Sequence, residues 1–210
     1  MAKFPHKKSA VSKPTRTPKI VVLAGPNGSG KSTSAVELLR GKFRVREFVN
    51  ADDIARQLPS MHPQATALEA GRQMLSRIQE LAAADASFAF ETTLASRSFA
   101  PLIKNLLKTG YTFGLVFLWL PTPEVAIRRV EERVQRGGHS VPTATIRKRY
   151  HAGLRNFFNL YQPLANSWQM IDNSSEQPRL IAAGAGRRTT VVRDRKLWQR
   201  IKRGVSDEKQ

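Results

Sequence analysis

The chain has 210 residues, a formal net charge of +19 at pH 7 and no cysteine. This length suffices for one domain with a sizeable core. The lack of thiols excludes a disulfide framework and a thiolate metal site, and it is compatible with a reducing cytoplasm. No stretch approaches the roughly 18 apolar residues of a membrane span, and no apolar segment of a secretory signal follows the basic N-terminus. We therefore expect a cytoplasmic protein without a membrane partner.

Much of the positive charge lies near the two ends of the sequence. Residues 1–18 are rich in Lys, Ser and Pro without apolar periodicity, which predicts a basic disordered arm. Residues 186–210 are predicted to form a basic C-terminal tail with a short helix. The domain itself is predicted over residues 19–185. Such basic segments favour nonspecific attraction to nucleic acid, and a solvated charge that keeps the protein soluble explains them equally well.

The first predicted strand, residues 19–24, leads into a loop that fits the pattern G-x-x-x-x-G-K-[ST] over residues 25–32, and a predicted helix follows from Lys31 to about Arg40. Its glycines allow successive backbone N–H groups to point at the phosphates of a nucleoside triphosphate. Lys31 can reach the β- and γ-phosphate oxygens, and Ser32 offers a hydroxyl to Mg²⁺. The predicted nucleotide-binding residues are Gly25, Pro26, Asn27, Gly28, Ser29, Gly30, Lys31, Ser32 and Thr33.

Two further predicted strands end in polar residues. The strand over residues 43–49 ends in the run Asn-Ala-Asp-Asp, and the strand over residues 87–90 ends in Glu-Thr-Thr. A predicted helix over residues 65–84 separates them. Gly71 lies inside this helix, where glycine lowers stability, and this predicts close packing or ligand approach.

The second half continues the alternation of helices and strands. Helices are predicted over 98–108, from 122 to the break at 137–138, and from 143 to about 161. Strands are predicted over 111–120 and 168–172, the latter as the last strand of the core. The pattern predicts an α/β protein with a P-loop NTPase fold, in which helices flank a mainly parallel sheet of about five strands.

Ligands of open parallel sheets bind beyond the carboxyl ends of the strands. The phosphate-binding loop, Asp52 with Asp53, and Glu91 with Thr93 all follow such ends. Phosphoryl transfer needs a charge-neutralising cradle, Mg²⁺ and a group that orients and deprotonates the attacking hydroxyl. An aspartate beside the loop can perform this last task, although each carboxylate also fits an ordinary turn or cap. The arrangement suits a small kinase.

A group of arginines follows the long apolar strand. Those that share one helix face, at i, i+4 and i+7, are Arg129, Arg133 and Arg136. Beside a triphosphate they would form a lid that stabilises the charge of the transferring group, with Arg147 and Arg149 closing it from the other side. A solvated helix face is the competing interpretation. His139 could contact substrate or phosphate, or cap the loop.

In chain order these motifs resemble the zeta-toxin family of P-loop kinases, in a small single-domain form similar to UDP-N-acetylglucosamine kinases. The shared segments are residues 25–33, 50–54, 70–72, 91–93 and the arginine helix running into 137–142. The resemblance spans about Lys19 to Asp172. It implies ATP- and Mg²⁺-dependent phosphorylation of a nucleotide sugar such as UDP-N-acetylglucosamine. It also implies an antitoxin protein as a candidate partner.

By the same resemblance, Lys31 and Ser32 match the phosphate and Mg²⁺ positions, and Asp52 matches the base that receives the sugar hydroxyl proton. The catalytic candidates are therefore Asp52, Lys31, Arg133 and Arg136. The substrate-binding candidates are Asp53, Glu91, Thr93 and His139, and Arg129 joins the nucleotide-binding set. Three questions stay open: Asp52 or Asp53 as the base, which arginines form the lid, and which acceptor is used. A nucleic-acid-associated ATPase or polynucleotide kinase, suggested by the basic ends, is the alternative function.

Overall fold

The computed structural model describes residues 17–37, 41, 43–59 and 62–207. The predicted disordered arm up to residue 16 and the predicted end of the first helix at 38–40 lie outside this part of the chain. The strands are β1 (Lys19–Ala24), β2 (Glu47–Val49), β3 (Phe88–Thr92), β4 (Thr112–Trp119), β5 (Ser167–Asp172), β6 (Arg179–Ala185) and β7 (Arg188–Val192). The helices are α1 (Lys31–Glu37), α2 (Ala51–Gln57), α3 (Pro63–Ala83), α4 (Phe99–Lys108), α5 (Pro123–Gln135), α6 (Thr143–Asn156) and α7 (Arg195–Asp207).

All the strands belong to one sheet in the order β2-β3-β1-β4-β5-β6-β7. The first five in this order run parallel, and β6 and β7 continue the sheet antiparallel. The predicted α/β class with a mainly parallel sheet is therefore confirmed. The strand number was wrong, because the sheet has seven strands and β5 is not the last of them. At the sheet edge, the largely exposed β7 lacks the continuous apolar run that marks β4. β6 has an apolar run, but alanine and glycine, which are depleted in strands, make up most of it.

Helices cover both faces of the sheet. The larger core joins one sheet face to α3, α4 and the segment after α6, and its fully buried side chains include Phe117, Phe157 and Trp168. The opposite face contributes Val21 and Leu23 to a smaller cluster. Because β4 lies in the middle of the sheet, it is buried along nearly its whole length, as the sequence predicted.

The segment predicted as a basic tail carries two packed elements. Its predicted helix is present as α7, and its first half forms β7 beside β6. The indole ring of Trp198 in α7 stacks on Trp168 of β5, with ring centroids 5.6 Å apart and an interplanar angle of 22°. Ile201 is also buried. The C-terminal segment is therefore continuous with the sheet and the core, and this differs from the predicted tail.

Helix α2 was not predicted, and it carries both aspartates. Asn50 begins it as N-cap, because its side-chain oxygen accepts a hydrogen bond from the backbone N–H of Asp52 at 2.8 Å. Asp52 and Asp53 then lie in the first turn, where the helix dipole favours negative charge. The polar run that was interpreted as a strand end is therefore a helix start. Farther along, α6 ends at Asn156 and a π-helical turn, Phe157–Tyr161, follows it.

Candidate active site

The loop between β1 and α1 has the backbone shape that its glycines predicted. Gly28 and Gly30 have positive φ angles of 73° and 81°. A Cβ atom on Gly28 would lie 2.8 Å from the carbonyl oxygen of Ala126, and one on Gly30 would lie 2.7 Å from the side-chain nitrogen of Asn173. Conformation and space therefore both require glycine, so that the loop fits between the start of α5 and the end of β5.

Lys31 lies at the centre of the site. Its side-chain ammonium donates hydrogen bonds to the backbone carbonyls of Gly25 and Pro26, each at 3.0 Å. An ammonium has three N–H donors, so these two bonds leave one for a ligand. Burial lowers the pKa of Lys31, the negative charges of Glu91 and Asp52 oppose that shift, and the charges of Arg133 and Arg149 add to it. Four charged side chains from four elements thus act on one ammonium group.

Glu91 and Ser32 meet beside Lys31. The Ser32 hydroxyl donates a hydrogen bond to Glu91 Oε2 at 2.8 Å. Strand pairing sets this contact, because β3 lies next to β1 with Glu91 opposite Leu23. Burial raises the pKa of Glu91, while Lys31 and the Ser32 hydrogen bond work against the rise. A hydroxyl oxygen and a carboxylate oxygen, both suitable as metal ligands, are therefore adjacent at the start of α1.

The two candidate bases differ in their surroundings. Asp52 is exposed, and its charge acts on both Lys31 and Glu91. Asp53 forms an ion pair with Arg56 one helical turn later. Its charge acts on the pKa of Glu91 and not on that of Lys31. The two aspartates therefore differ in the charged groups with which they interact.

The arginines of α5 occupy different positions although they share a helix face. Arg129 donates to the backbone carbonyls of Asn173 at 2.7 Å and Ser174 at 2.9 Å, so it holds the loop after β5. Arg133 donates to the carbonyl of His139 at 2.7 Å. Arg136 is exposed at the C-cap of α5.

Helix α6 contributes the second arginine near the site. Arg149 acts on Lys31 together with Arg133, whereas Arg147 pairs with Glu124 at the start of α5. Within the arginine set of the sequence analysis, Arg133 and Arg149 are thus the two whose charges lower the pKa of Lys31. The contact seen for His139 uses its backbone carbonyl, which resembles the predicted loop-capping role more than a ligand contact.

The loop after β3, which carries Thr93, is held by α6. Gly153 of α6 is buried against the carbonyl group of Thr93. The side-chain amide of Asn156 donates to the carbonyls of Leu94 at 2.8 Å and Ala95 at 3.1 Å. Leu94 is fully buried with a φ of 57°, a left-handed conformation that is strained for leucine. These contacts over-determine the loop and fix where Thr93 lies.

Asn173 is a site residue that the sequence analysis did not identify. Its side-chain nitrogen donates to the carbonyl of Ser29 in the phosphate-binding loop at 2.7 Å, and its own carbonyl accepts from Arg129. It directly follows β5, so its place at a strand end was the available signal. The expectation of close packing at Gly71 was wrong, since in the described part of the chain a Cβ atom there would have no atom within 4 Å apart from its chain neighbours and the backbone of its own helix.

Three buried side-chain polar atoms at this site have no hydrogen-bond partner. They are Oδ1 of Asn27, Oγ of Ser29 and Nε of Arg133. Because buried polar groups are normally satisfied, such atoms around a phosphate-binding loop fit a site that a polar ligand completes. Over the described ranges no group of three or more Asp, Glu or His side chains could hold a metal ion by itself.

Residues 4–181 match the family model described as Zeta toxin. The chain belongs to the zeta-toxin family. Its predicted resemblance is thereby confirmed, and so is the predicted enzyme class, a phosphotransferase with a nucleotide-binding loop. An uncharacterized protein of Haemophilus influenzae is 28% identical to it over 134 residues, covering 63% of this chain and 92% of the relative.

Solved structures are similar in fold. The AvrRxo1-ORF1:-ORF2 complex with ATP matches with a TM-score of 0.68 at 17% identity, over 89% of this chain and 64% of that one. This chain therefore spans less than two thirds of that relative. The PezAT chromosomal toxin-antitoxin system of Streptococcus pneumoniae matches with a TM-score of 0.59 at 15% identity, over 95% and 88% of the two chains. The P-loop fold prediction is confirmed. In the described part of the chain, no helix is both long and apolar enough to cross a bilayer.

Proposed function

We propose that this protein is an ATP-dependent kinase that transfers the γ-phosphoryl group to a hydroxyl of a nucleotide sugar such as UDP-N-acetylglucosamine. The observation that carries the proposal is the set of charges around Lys31: Asp52 and Glu91 on one side, Arg133 and Arg149 on the other. Phosphoryl transfer requires this combination of a cationic cradle with carboxylates. The zeta-toxin family match supports the same reaction.

The phosphate-binding loop is the proposed binding site of the ATP phosphates. Its backbone N–H groups and the remaining N–H of Lys31 would bind the phosphate oxygens. Asn27 and Ser29 each bring a buried side-chain oxygen without a partner to this site. The side-chain amide of Asn173 stabilises the loop by donating a hydrogen bond to the carbonyl of Ser29. We also assign Gly25, Gly28, Gly30 and Thr33 to this binding loop.

Ser32 and Glu91 fit Mg²⁺, because Mg²⁺ prefers oxygen ligands and is commonly bound through few protein groups together with substrate phosphates. Their oxygens already lie 2.8 Å apart. When bound, Mg²⁺ would neutralise charge on the phosphates and help to align them. Burial raises the pKa of the Glu91 carboxyl, and a nearby divalent cation would lower it again by favouring the ionised form.

Asp52 is the proposed general base. It would accept the proton of the attacking hydroxyl as that oxygen forms its bond to the γ-phosphorus, while the bond from the γ-phosphorus to the β,γ-bridging oxygen breaks and ADP leaves. Its charge acts on Lys31, whereas Asp53 is engaged by Arg56. Arg133 and Arg149 would stabilise the charge of the transferring group, and Arg129 would hold the nucleotide side of the site through the loop after β5. For Arg136, a contact in the lid stays a prediction from the sequence.

The acceptor side is proposed at the ends of β2 and β3. Thr93, Asp53 and His139 are its candidate contacts, with Glu91 between acceptor and metal. The rigid loop after β3 supports this, because a substrate-binding residue needs a fixed backbone. The acceptor class rests on family membership alone.

The test is transfer of label from γ-labelled ATP, with UDP-N-acetylglucosamine, other nucleotide sugars and 5′-hydroxyl oligonucleotides offered as acceptors. We expect labelled nucleotide sugar. Asp52→Asn should abolish transfer while ATP affinity stays nearly unchanged. Asp53→Asn, at a candidate acceptor contact, is the comparison: it should raise the KM for the acceptor and retain most of kcat. Equal loss in both variants would reject the assignment of the base. Transfer to oligonucleotide ends would instead support a polynucleotide kinase.

We further propose a cytoplasmic location and an antitoxin-like protein partner. The support is the family match and the similarity to PezAT, which is described as a toxin-antitoxin system. Expression of the wild-type chain alone should then arrest bacterial growth, and expression of Asp52→Asn should not. Growth arrest by both the wild-type chain and Asp52→Asn would show that toxicity does not require phosphoryl transfer.

A further inference from the structure

Helix α7 has one apolar face and one basic face. Trp198, Ile201 and Val205 are buried against the core and fix the rotation of the helix. The basic side chains of α7, all exposed, are Arg195, Lys196, Arg200, Lys202 and Arg203. Packing of the apolar face therefore turns these cations outward on an ordered element.

The neighbouring strand and turns extend this basic face. Arg187 and Arg188 before and at the start of β7, and Arg193 after it, are also exposed. Asp194 is the one acid between residues 187 and 203, and its carboxylate accepts a hydrogen bond from the backbone N–H of Leu197 at 2.9 Å. The α7 basic surface comprises Arg187, Arg188, Arg193, Arg195, Lys196, Arg200, Lys202 and Arg203. Eight cations against one acid give it a strong positive potential.

A cavity of about 360 Å³ opens on this surface between β6 and the start of α7. Arg193, Arg195 and Lys196 line it together with Asp172 and Arg179. The buried Asp172 carboxylate pairs with Arg179 at 3.2 Å and accepts from the backbone N–H of Ser174 at 3.0 Å. Its charge is therefore matched locally. Arg193, Arg195 and Lys196 outnumber Asp194, the other acid that lines the cavity, so the net charge at the opening is positive.

We propose that the α7 basic surface binds the phosphodiester backbone of nucleic acid, RNA or DNA, without reading its sequence. Arginine and lysine neutralise phosphates and release counterions, which drives such binding. The one aromatic residue between 187 and 203 is Trp198, and it is buried, so base stacking is not provided there. The apolar face of α7 is used by the core, which removes the anchor that a membrane-surface helix needs.

The α7 basic surface lies away from the acceptor side of the proposed kinase site, and its cavity ends at Asp172, next to the Asn173 that contacts the phosphate-binding loop. Asp52 and Glu91 follow or lie on β2 and β3, whereas the surface is built on β6, β7 and α7. Four strand spacings separate β3 from β6 in the sheet, which is about 19 Å at the usual spacing of about 4.8 Å. Bound nucleic acid would thus hold the enzyme at a site without serving as its acceptor. Nucleic-acid binding at this surface does not depend on the proposed reaction.

The test is fluorescence anisotropy of the full-length chain with labelled 20-nucleotide single-stranded RNA and DNA, over a series of salt concentrations. The variant Lys196→Gln/Arg200→Gln removes two cations one helical turn apart. Its matched control, Lys104→Gln/Lys108→Gln, removes two exposed cations with the same spacing on α4. All four positions are on helix surfaces, and thermal unfolding checks that both variants fold.

Each phosphate contact contributes about 0.7 to the salt slope for single strands, so loss of two contacts should lower the slope by about 1.4. At 0.1 M salt this corresponds to about 25-fold weaker binding. The control should bind within about threefold of wild type. Equal weakening in both variants, no binding by wild type, or tighter binding to phosphatidylserine vesicles than to either nucleic acid would overturn the proposal.

Discussion

Substitution of Gly153 by alanine tests how α6 positions the loop after β3. A Cβ atom at Gly153 would lie 2.2 Å from the carbonyl oxygen of Thr93 and 3.4 Å from its carbonyl carbon. An ordinary carbon–oxygen contact is about 3.3 Å or longer. Helix and loop would therefore have to separate by about 1 Å. Because the loop is rigidly held, we expect Gly153→Ala to move Thr93 and not merely a flexible side chain.

Two opposing energies set the size of the effect. Overpacking costs about 1–3 kcal/mol, and alanine gains about 1 kcal/mol over glycine inside a helix. Gly71→Ala in the middle of α3 is the matched control, since its Cβ atom meets open space and only the gain applies. At about 2–4 °C per kcal/mol for a chain of this size, the melting temperatures of the two variants should differ by about 2–12 °C.

Calorimetry measures this difference, and steady-state kinetics measure its effect on the site. Gly153→Ala should lower kcat/KM for the acceptor, while the KM for ATP changes little, because the atoms nearest to the added Cβ belong to Thr93 and Ala95 of the loop after β3. If both glycine variants gain stability alike and both keep wild-type kinetics, the reasoning about α6 is refuted.

Three further predictions concern the site. Burial raises the pKa of Glu91 in the folded protein. The protonated carboxyl therefore contributes stability at low pH, and this contribution is lost as pH rises through the folded pKa. Glu91→Gln should melt at a higher temperature than wild type at pH 7, and thermal scans should show this difference closing toward pH 4. Arg133→Gln should lower kcat about 100-fold, and Arg136→Gln far less, in steady-state assays; similar losses would contradict the assignment of the lid. Asn173→Ala leaves the Ser29 carbonyl without its donor and should weaken ATP binding about 2- to 12-fold by calorimetry; unchanged affinity would show that the contact is dispensable.

The phosphate-binding loop and the parallel strands could be predicted because their signals are local. The glycine pattern and the apolar runs of β1 and β4 each lie within a few residues. Strands β6 and β7 could not be predicted in this way. β6 is short in strand-forming residues, because alanine and glycine fill most of it. The exposed positions of β7 interrupt its apolar pattern, and the surrounding arginines gave that segment the composition of a tail.

The candidate site shows the same division. Asp52, Glu91 and Lys31 were found because each follows or ends a recognisable strand. The selection of Arg149 over Arg147 depends on the rotation of α6 against α5, which helical spacing cannot give. The hydrogen bond of Asn173 to Ser29 joins residues that are 144 positions apart. This hydrogen bond forms because β5 ends beside the phosphate-binding loop in the fold. No local pattern in a single sequence predicts that arrangement.

The two outer strands determine how the sheet avoids self-association. An outer strand presents free backbone groups to another chain, and proteins guard it by shortness or by charge. β2 has only three residues. β7, with its exposed Val191 and Val192, has arginines before and after it. Neutralising Arg188 or Arg193 would therefore weaken a barrier to strand-to-strand pairing between copies. Charge removal at β7 should promote aggregation, whereas the same change on α7 should leave the protein monodisperse.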